Sequence, residues 1–258
     1  MKLATWNVNS LRVRLPHVCD WLARVQPDVL CLQETKVTDE ECPVESLREA
    51  GYHVLHSGQK SYNGVAILSR APLGEASTEA PGLDGGQKRY VAATVSGVRV
   101  ISVYVPNGEA VTSPKYAYKL EWLAALRAHL VQELKRFPLL AVVGDFNVAP
   151  EERDVHDPRL WQNQVLFSAP ERAALRALMD VGLVDVFRKF VQPAGSFSWW
   201  DYRKGAFRRN LGLRIDHIFC SAPLAERCGA CTIDTAPRAL ERPSDHAPVI
   251  AEFGSLEE

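Results

Sequence analysis

Apolar residues along this chain switch between two spacings, and the switches mark its elements. Lys2-Leu3-Ala4-Thr5-Trp6-Asn7 predicts a short strand, after which Leu11, Leu15, Val18, Leu22 and Val25 recur every three or four residues, an amphipathic helix closed by Pro27. Val29-Leu30-Cys31-Leu32-Gln33-Glu34 is a second apolar strand, and it ends in an acid. Paired strands follow over 52–57 and 64–69, then a hairpin of 90–95 with 98–105 about Ser96-Gly97. Tyr118, Trp122, Leu126, Leu130 and Leu134 mark a long helix over 115–136, with Pro138 beyond it. Leu139-Leu140-Ala141-Val142-Val143 is the next strand and runs straight into Gly144-Asp145-Phe146-Asn147. A helix over 171–181 stops at Gly182, and strands return at 215–220, 231–235 and 249–253. Hairpins mixed with helical crossovers predict an α/β protein of two packed sheets flanked by helices.

With 258 residues, 47% of them apolar, the chain is long enough for two average domains or one large one. No Gly/Ser run, charge block or low-complexity tract divides it, and its polar candidates come from both ends, so one domain over 1–253 is expected. Gly254-Ser255-Leu256-Glu257-Glu258 reads as a frayed or appended tail. No apolar run approaches the roughly 18 residues of a membrane span, and Met1-Lys2-Leu3 enters a strand rather than a signal peptide. A soluble, cytoplasmic protein with no membrane partner is expected. Six scattered cysteines read as reduced core residues, and Cys228-Gly229-Ala230-Cys231 lacks the second pair that a zinc site needs.

A formal net charge of -1 gives no overall basic footprint for nucleic acid. The distribution is less neutral than the sum, because 203–214 carries Arg203, Lys204, Arg208, Arg209 and Arg214 without one acid. Such a run is either a solvated loop or a contact for phosphates.

The chemistry sits at strand ends. Asn7 with Asn9, Glu34, Tyr104 with Asn107, Asp145 with Asn147, and Asp216 with Asp245-His246 all lie at or beside the mouths of apolar strands. One such Asp alone is more often a turn-former or helix cap, and one His or Tyr alone is more often a core residue. Five sets together supply an acceptor for a water proton, donors for phosphate oxygens and ligands for a hard cation, which is what metal-assisted phosphate-ester cleavage requires.

Thr5-Trp6-Asn7-Val8-Asn9, Leu32-Gln33-Glu34-Thr35-Lys36, Tyr104-Val105-Pro106-Asn107-Gly108, Gly144-Asp145-Phe146-Asn147, Leu213-Arg214-Ile215-Asp216 and Ser244-Asp245-His246-Ala247-Pro248 follow one another in order. In that order they resemble the exonuclease III family, the bacterial abasic-site endonucleases and 3′-repair nucleases of the endonuclease/exonuclease/phosphatase superfamily. The resemblance spans 1–253. It implies a four-layer α/β sandwich, two packed mixed sheets flanked by helices, with the site at one edge of both.

The resemblance also implies roles. Glu34 is expected to be the main ligand of Mg²⁺ (with Mn²⁺ as a substitute), helped by Asn7 and Asp245, while the neutral amide of Asn9 stands one layer back. Asp145 is expected to orient and deprotonate the attacking water, and Asn147 to hold that water or a phosphate oxygen. His246 is expected to donate to the scissile phosphate with its tautomer set by Asp216, and Tyr104 and Asn107 to bind phosphate oxygens or, for Tyr104, to assist the leaving group. Lys60, Tyr62, Lys88, Arg89, Arg203, Lys204, Arg208 and Arg209 are the expected DNA contacts. Trp199, Leu213 and Ile215 are expected to line a pocket for a flipped-out baseless sugar. The segment 161–167, centred on Asn163, is expected beside that pocket as a gate on internal sugars. The implied activity is cleavage 5′ to abasic sites in duplex DNA and removal of 3′ blocking groups or nucleotides by a monomer. Its rivals are another phosphoesterase of the same fold and a catalytically weak DNA-binding scaffold.

Overall fold

In a computed structural model that describes residues 1–83 and 86–255, the chain opens with strand β1 (Lys2–Asn7), helix α1 (Leu11–Val25), strand β2 (Val29–Gln33) and a short helix α2 (Val44–Glu49). Strands β3 (His53–Ser57), β4 (Val65–Ser69), β5 (Gly74–Ser77), β6 (Tyr90–Val95) and β7 (Val98–Tyr104) precede the long helix α3 (Pro114–Arg136). Strand β8 (Leu140–Asp145) leads to helices α4 (Pro158–Trp161) and α5 (Ala169–Met179) and strand β9 (Leu183–Asp185). A two-residue ribbon of β10 (Trp199–Trp200) with β11 (Gly212–Leu213) comes next. The chain closes with β12 (Asp216–Ser221), helix α6 (Ala222–Glu226), β13 (Cys228–Ile233) and β14 (Val249–Phe253).

Twelve of these strands form two mixed six-stranded sheets, ordered β13-β14-β1-β2-β4-β3 and β5-β6-β7-β8-β12-β9. Alternation along each strand decides what each sheet face meets. Leu3, Val29 and Cys31 point into the core between the sheets with Val100, Ala141, Val143 and Ile218. Their neighbours Ala4, Trp6, Leu30 and Leu32 face outward under α1 and α2. On the second sheet Ile101, Val103, Val142 and Phe219 pack under α3 and α5. The layers are therefore helix, sheet, sheet, helix, as the resemblance implied.

Local chemistry sets the ends. Helix α1 stops at Val25 because Gln26, in left-handed backbone at φ 49°, precedes Pro27, whose ring disfavours a helical residue before it. Ser113 accepts from the Lys115 N–H at 3.1 Å and Pro114 opens the first turn of α3. In α5 a capping box joins Ser168 and Glu171, and the helix begins two residues earlier than the apolar spacing suggests.

The expected strands and long helices are present. Helices α2, α4 and α6, strands β5 and β9 and the β10–β11 ribbon are additions, each too short to show a period. All six cysteines are free, and Cys31, Cys220, Cys228 and Cys231 lie in the intersheet core. Among the described residues no helix is long and apolar enough to cross a membrane. Of the expected tail, Gly254 is tied by its N–H to the Arg227 carbonyl at 2.9 Å, and 256–258 lie outside the described residues.

Candidate active site

Strand direction brings the polar strand ends to one edge. Strands β1 and β2 run parallel, as do β7 and β8, so Asn7 and Glu34 in one sheet and Tyr104 and Asp145 in the other emerge on the same side. Strand β12 is antiparallel to β8 with Asp216 opposite Asp145, so its beginning lies where β8 ends. Strand β14 is antiparallel to β1, which carries the preceding His246 past the end of β1. Ser244 fixes that approach: its hydroxyl donates to the Asn7 carbonyl at 2.6 Å and accepts from the His246 N–H at 3.2 Å.

At the centre, Glu34, Asp145 and His246 each offer an atom within 4.8 Å of the others. Asp145 is buried, with one oxygen accepting from the Asn147 N–H at 2.9 Å and the other from the Asn7 amide at 2.9 Å. Burial pushes its pKa up to about 7, His246 pulls against that, and the charges of Asp216 and Glu34 add to it. His246 Nδ1 lies 2.8 Å from Asp216 Oδ2, and Nε2 faces Asp145 Oδ2 at 3.7 Å. Burial disfavours its imidazolium, but Asp216 and Asp145 outweigh burial and raise its pKa to about 10. A cationic His246 is thus a donor at this site rather than a metal ligand. Burial also works against the Glu34 carboxylate, yet Lys36, the Asn7 amide and His246 hold its pKa below the usual value. Lys36 Nζ sits 2.8 Å from Glu34 Oε2 and donates to Asn9 Oδ1 at 2.6 Å.

Tyr104 lies beside this cluster with the Arg89 guanidinium 4.6 Å from its ring centre. Burial first, then the Glu34 and Asp145 charges, push its pKa well above the ordinary phenol value. Its O–H therefore stays protonated and can only donate to an anionic oxygen. Asn107 donates to Asn147 Oδ1 at 3.1 Å, and Asn147 Nδ2 donates to the Val105 carbonyl at 2.9 Å.

The two other expected ligands, Asn7 and Asp245, make the following contacts. Asn7 turns its amide nitrogen toward both carboxylates, donating to Glu34 Oε1 at 2.8 Å, because its oxygen accepts from the Asn9 N–H at 3.0 Å. In this arrangement its amide bridges the two acids. Asp245 accepts from Trp199 Nε1 at 3.0 Å and from Asn9 Nδ2 at 3.1 Å, outside the three-residue cluster. Within the cluster, Glu34 and Asp145 offer the carboxylate oxygens that could hold a hard cation.

Two clefts adjoin the cluster. One, of about 650 Å³, is lined by Tyr62, Arg89, Tyr104, Asn107, Lys115 and Tyr118. Tyr62 is 72% exposed there, while Lys60 stands outside the lining and Lys88 links the two loops through its backbone. The other, of about 660 Å³, is lined by Trp161, Gln164, Val165, Trp199, Lys204 and Arg209 among others. Leu213 and Ile215 are not among its lining residues: both are buried in an apolar cluster against which Trp161, Val165 and Trp199 pack. Asn163 faces a separate cleft with Phe167 and Arg172, and Leu166 is buried. The residues of 161–167 that line the cleft with Trp199 are Trp161, Gln164 and Val165.

The basic run also divides. Arg203, Lys204, Arg208 and Arg209 are all exposed, and Arg203 alone of these four pairs with Asp201, at 2.6 Å. Arg214 is no surface contact. It is buried between Asp154 at 2.7 Å and Asp185 at 2.8 Å, in a segment whose neighbours Leu213 and Ile215 are buried as well.

Sequence reasoning missed three supports. Ser198 donates to Asp216 Oδ2 at 2.6 Å and accepts from the Ile215 and Asp216 N–H groups at 3.0 Å. Lys119, fully buried on α3, donates to the Asn107 and Asn147 carbonyls at 3.0 and 2.7 Å and pairs with Glu171 at 2.5 Å. His217 donates to the Val148 carbonyl at 2.8 Å and accepts from Arg214. The visible signal for Lys119 was a lysine inside the apolar stripe of a helix.

A model of the Endonuclease/Exonuclease/phosphatase family matches residues 4–246, nearly the whole chain and every residue of the cluster. The chain belongs to this family. Within it, the chain is 39% identical to an exodeoxyribonuclease III of Haemophilus influenzae over 98% of this chain and 100% of that one. Its fold is similar to the 3′ phosphatase NExo from Neisseria bound to a product DNA hairpin, with a TM-score of 0.97, 48% identity and 99% and 100% of the two chains covered. It is also similar to an AP endonuclease from Archaeoglobus fulgidus, with a TM-score of 0.94, 43% identity and 99% and 100% covered. Family membership fits the paired carboxylates and the His–Asp couple at the shared sheet edge.

Proposed function

We propose that the protein is a Mg²⁺-dependent DNA-repair phosphodiesterase that cleaves 5′ to abasic sites in duplex DNA and trims blocked 3′ ends. It acts as a cytoplasmic monomer, with residues 1–253 forming one working unit. The observation that carries the reading is the close set of Glu34, Asp145 and His246, with His246 held by Asp216 at 2.8 Å. Glu34, with Asp145 near it, would hold the cation, and charge building on the phosphate and leaving oxygen is met by it when bound. Asp145 takes the proton of the attacking water, since a carboxylate with a pKa raised to about 7 is matched to neutral pH. His246 donates from Nε2 to a phosphate oxygen, kept charged by Asp216. Tyr104 donates its phenolic proton to another oxygen, and Asn107, held by Asn147, adds a third donor. Asn7 keeps Glu34 and Asp145 apart yet adjacent by donating to both.

The two clefts extend this site along a polymer. Tyr62 and Arg89 on one side and Trp199, Lys204 and Arg209 on the other would position phosphates, with Trp161, Gln164 and Val165 limiting an extruded sugar. Incubation of the purified protein with a duplex carrying one abasic-site analogue should give a nick 5′ to the site with Mg²⁺ and none with chelator. A parallel duplex ending in a 3′-phosphate should release phosphate. Absence of both products under conditions where the protein is folded would defeat the reading.

The exposed cations predict a salt response. Replacing Lys204 and Arg209 together by Gln should flatten the slope of log K against log[salt] by about two units. Arg203→Gln should change it little, because Asp201 already neutralises that guanidinium. Equal slopes for wild type and the double variant would return this loop to ordinary solvated surface.

A further inference from the structure

Glu34 is held in an unusual backbone. It and Lys36 both occupy the left-handed region, at φ 51° and 56°, which a side chain with a Cβ rarely adopts. Such residues persist only where their surroundings over-determine the conformation. Part of that constraint is backbone: Ser10 and Leu11 donate to the Glu34 and Thr35 carbonyls at 2.7 and 2.9 Å, and Thr35 and Lys36 donate to Gly64 and Asn63 at 3.1 and 2.9 Å. The residue between the two strained positions, Thr35, is fully buried, and its side chain reaches outward across the end of β4 to His56 on β3.

That contact is the middle of a three-residue chain. Thr35 Oγ1 lies 2.9 Å from His56 Nε2, and His56 Nδ1 lies 2.8 Å from Asp39 Oδ1, in a contact bent away from the ring N–H axis. Asp39 Oδ1 also accepts from the Gly58 N–H at 2.8 Å. An anion at Nδ1 favours the ring proton on that nitrogen, which leaves Nε2 to accept from the Thr35 hydroxyl. Burial keeps the ring below its usual pKa, with Asp39 opposing, so a neutral ring is the resting state. Thr35 has no access to solvent, which excludes a nucleophile in this triad-like row.

The surrounding chain leaves room for the pair and for nothing larger. A Cβ at Gly64, itself at φ +93°, would collide with Thr35 Oγ1. A Cβ at Gly58 would collide with the Val37 carbonyl and with the His56 ring. Gly64 thus leaves space for the Thr35 hydroxyl, and Gly58 for the His56 ring and the Val37 carbonyl.

We propose that His56 is a positioning residue for Glu34, acting through Thr35 to hold this carboxylate where a hard divalent cation is bound. The row from Asp39 to Thr35 does for a carboxylate what outer hydrogen bonds do for metal-bound ligands in general. The inference rests on Glu34 being the cation's carboxylate, and the test separates the two.

Titration calorimetry of the DNA-free protein with Mg²⁺, and with Mn²⁺ as a tighter probe, should show weaker binding by about 10- to 100-fold in Thr35→Val and His56→Ala. At saturating Mg²⁺ their kcat should stay within about threefold of wild type, since Asp145 and His246 are untouched. Thr35→Ser and His56→Gln, which keep a hydrogen-bonding atom at each position, should recover most of the affinity. Thr35→Val is isosteric, so it tests the idea even where His56→Ala packs poorly. Wild-type cation affinity in a folded Thr35→Val overturns the proposal, as does unchanged affinity with a fallen kcat. If Glu34→Gln also binds the cation at wild-type affinity, it is the assignment of Glu34 that fails. If Glu34→Gln weakens binding and the other two do not, only the role of His56 falls.

Discussion

Asp145→Asn is expected to lower kcat by at least about 10²-fold while leaving DNA affinity near wild type, the size of effect that a positioned general base supplies. The amide keeps the shape and can still meet the Asn147 N–H, but it cannot take a water proton. His246→Ala should cost a comparable factor by removing the cationic donor facing Asp145 at 3.7 Å. The two variants are separable by pH. Asp145 must be ionised to act, so the single-turnover rate should fall as pH drops through its pKa, raised to about 7 by burial and by the neighbouring acids. Added Mg²⁺ favours the carboxylate and should move that limb to lower pH. The His246 cation lowers the Asp145 pKa, so in His246→Ala the limb should move to higher pH instead. Single-turnover rates from pH 5 to 9 at two Mg²⁺ concentrations decide it. Lost DNA binding with an intact single-turnover rate would refute the assignment, and so would a pH limb that survives Asp145→Asn unchanged.

The second large effect is on stability. Arg214→Met leaves Asp154 and Asp185 buried without their shared guanidinium, and breaking such a pair costs about 3–5 kcal/mol. For a chain of this size that corresponds to a fall in Tm of about 6–20 °C. Asp154 keeps Arg188 as a partner, which places the loss toward the lower end. The same substitution should leave the salt slope of DNA binding unchanged, in contrast to the Lys204 and Arg209 pair. Thermal unfolding within about 2 °C of wild type would show that the cluster contributes little, because a Tm change that small corresponds to roughly 1 kcal/mol.

These two residues show how differently sequence and structure speak. Asp145 was legible because a short apolar run, Leu139 to Val143, between Pro138 and Gly144 reads as a buried strand, and a polar residue at its end emerges at a sheet edge. The same logic applied to Glu34, Tyr104 and Asp216, and the ordered motifs raised it from a set of strand ends to a family. Arg214 looked like one more cation in a basic run, since one-dimensional charge density does not reveal whether a side chain ends in solvent or in the core. Its partners Asp154 and Asp185 lie 60 and 29 residues away, at distances along the chain that no local pattern encodes.

By itself the sequence determined the two-sheet α/β architecture, the long helices and the residues gathered at the edge, because hydrophobic period and strand-end polarity are local properties that survive without a partner. Tertiary structure alone decided what each polar atom faces. Sheet order put Asp145 against His246, turned the Asn7 amide nitrogen toward the acids, gave Asp245 to Asn9 and Trp199, buried Leu213 and Ile215 in an apolar cluster, and laid Thr35 across β4 to reach His56. The physical reason is that burying a polar group demands a partner within hydrogen-bond reach, and which partner is within reach depends on strand neighbours that are remote in the chain.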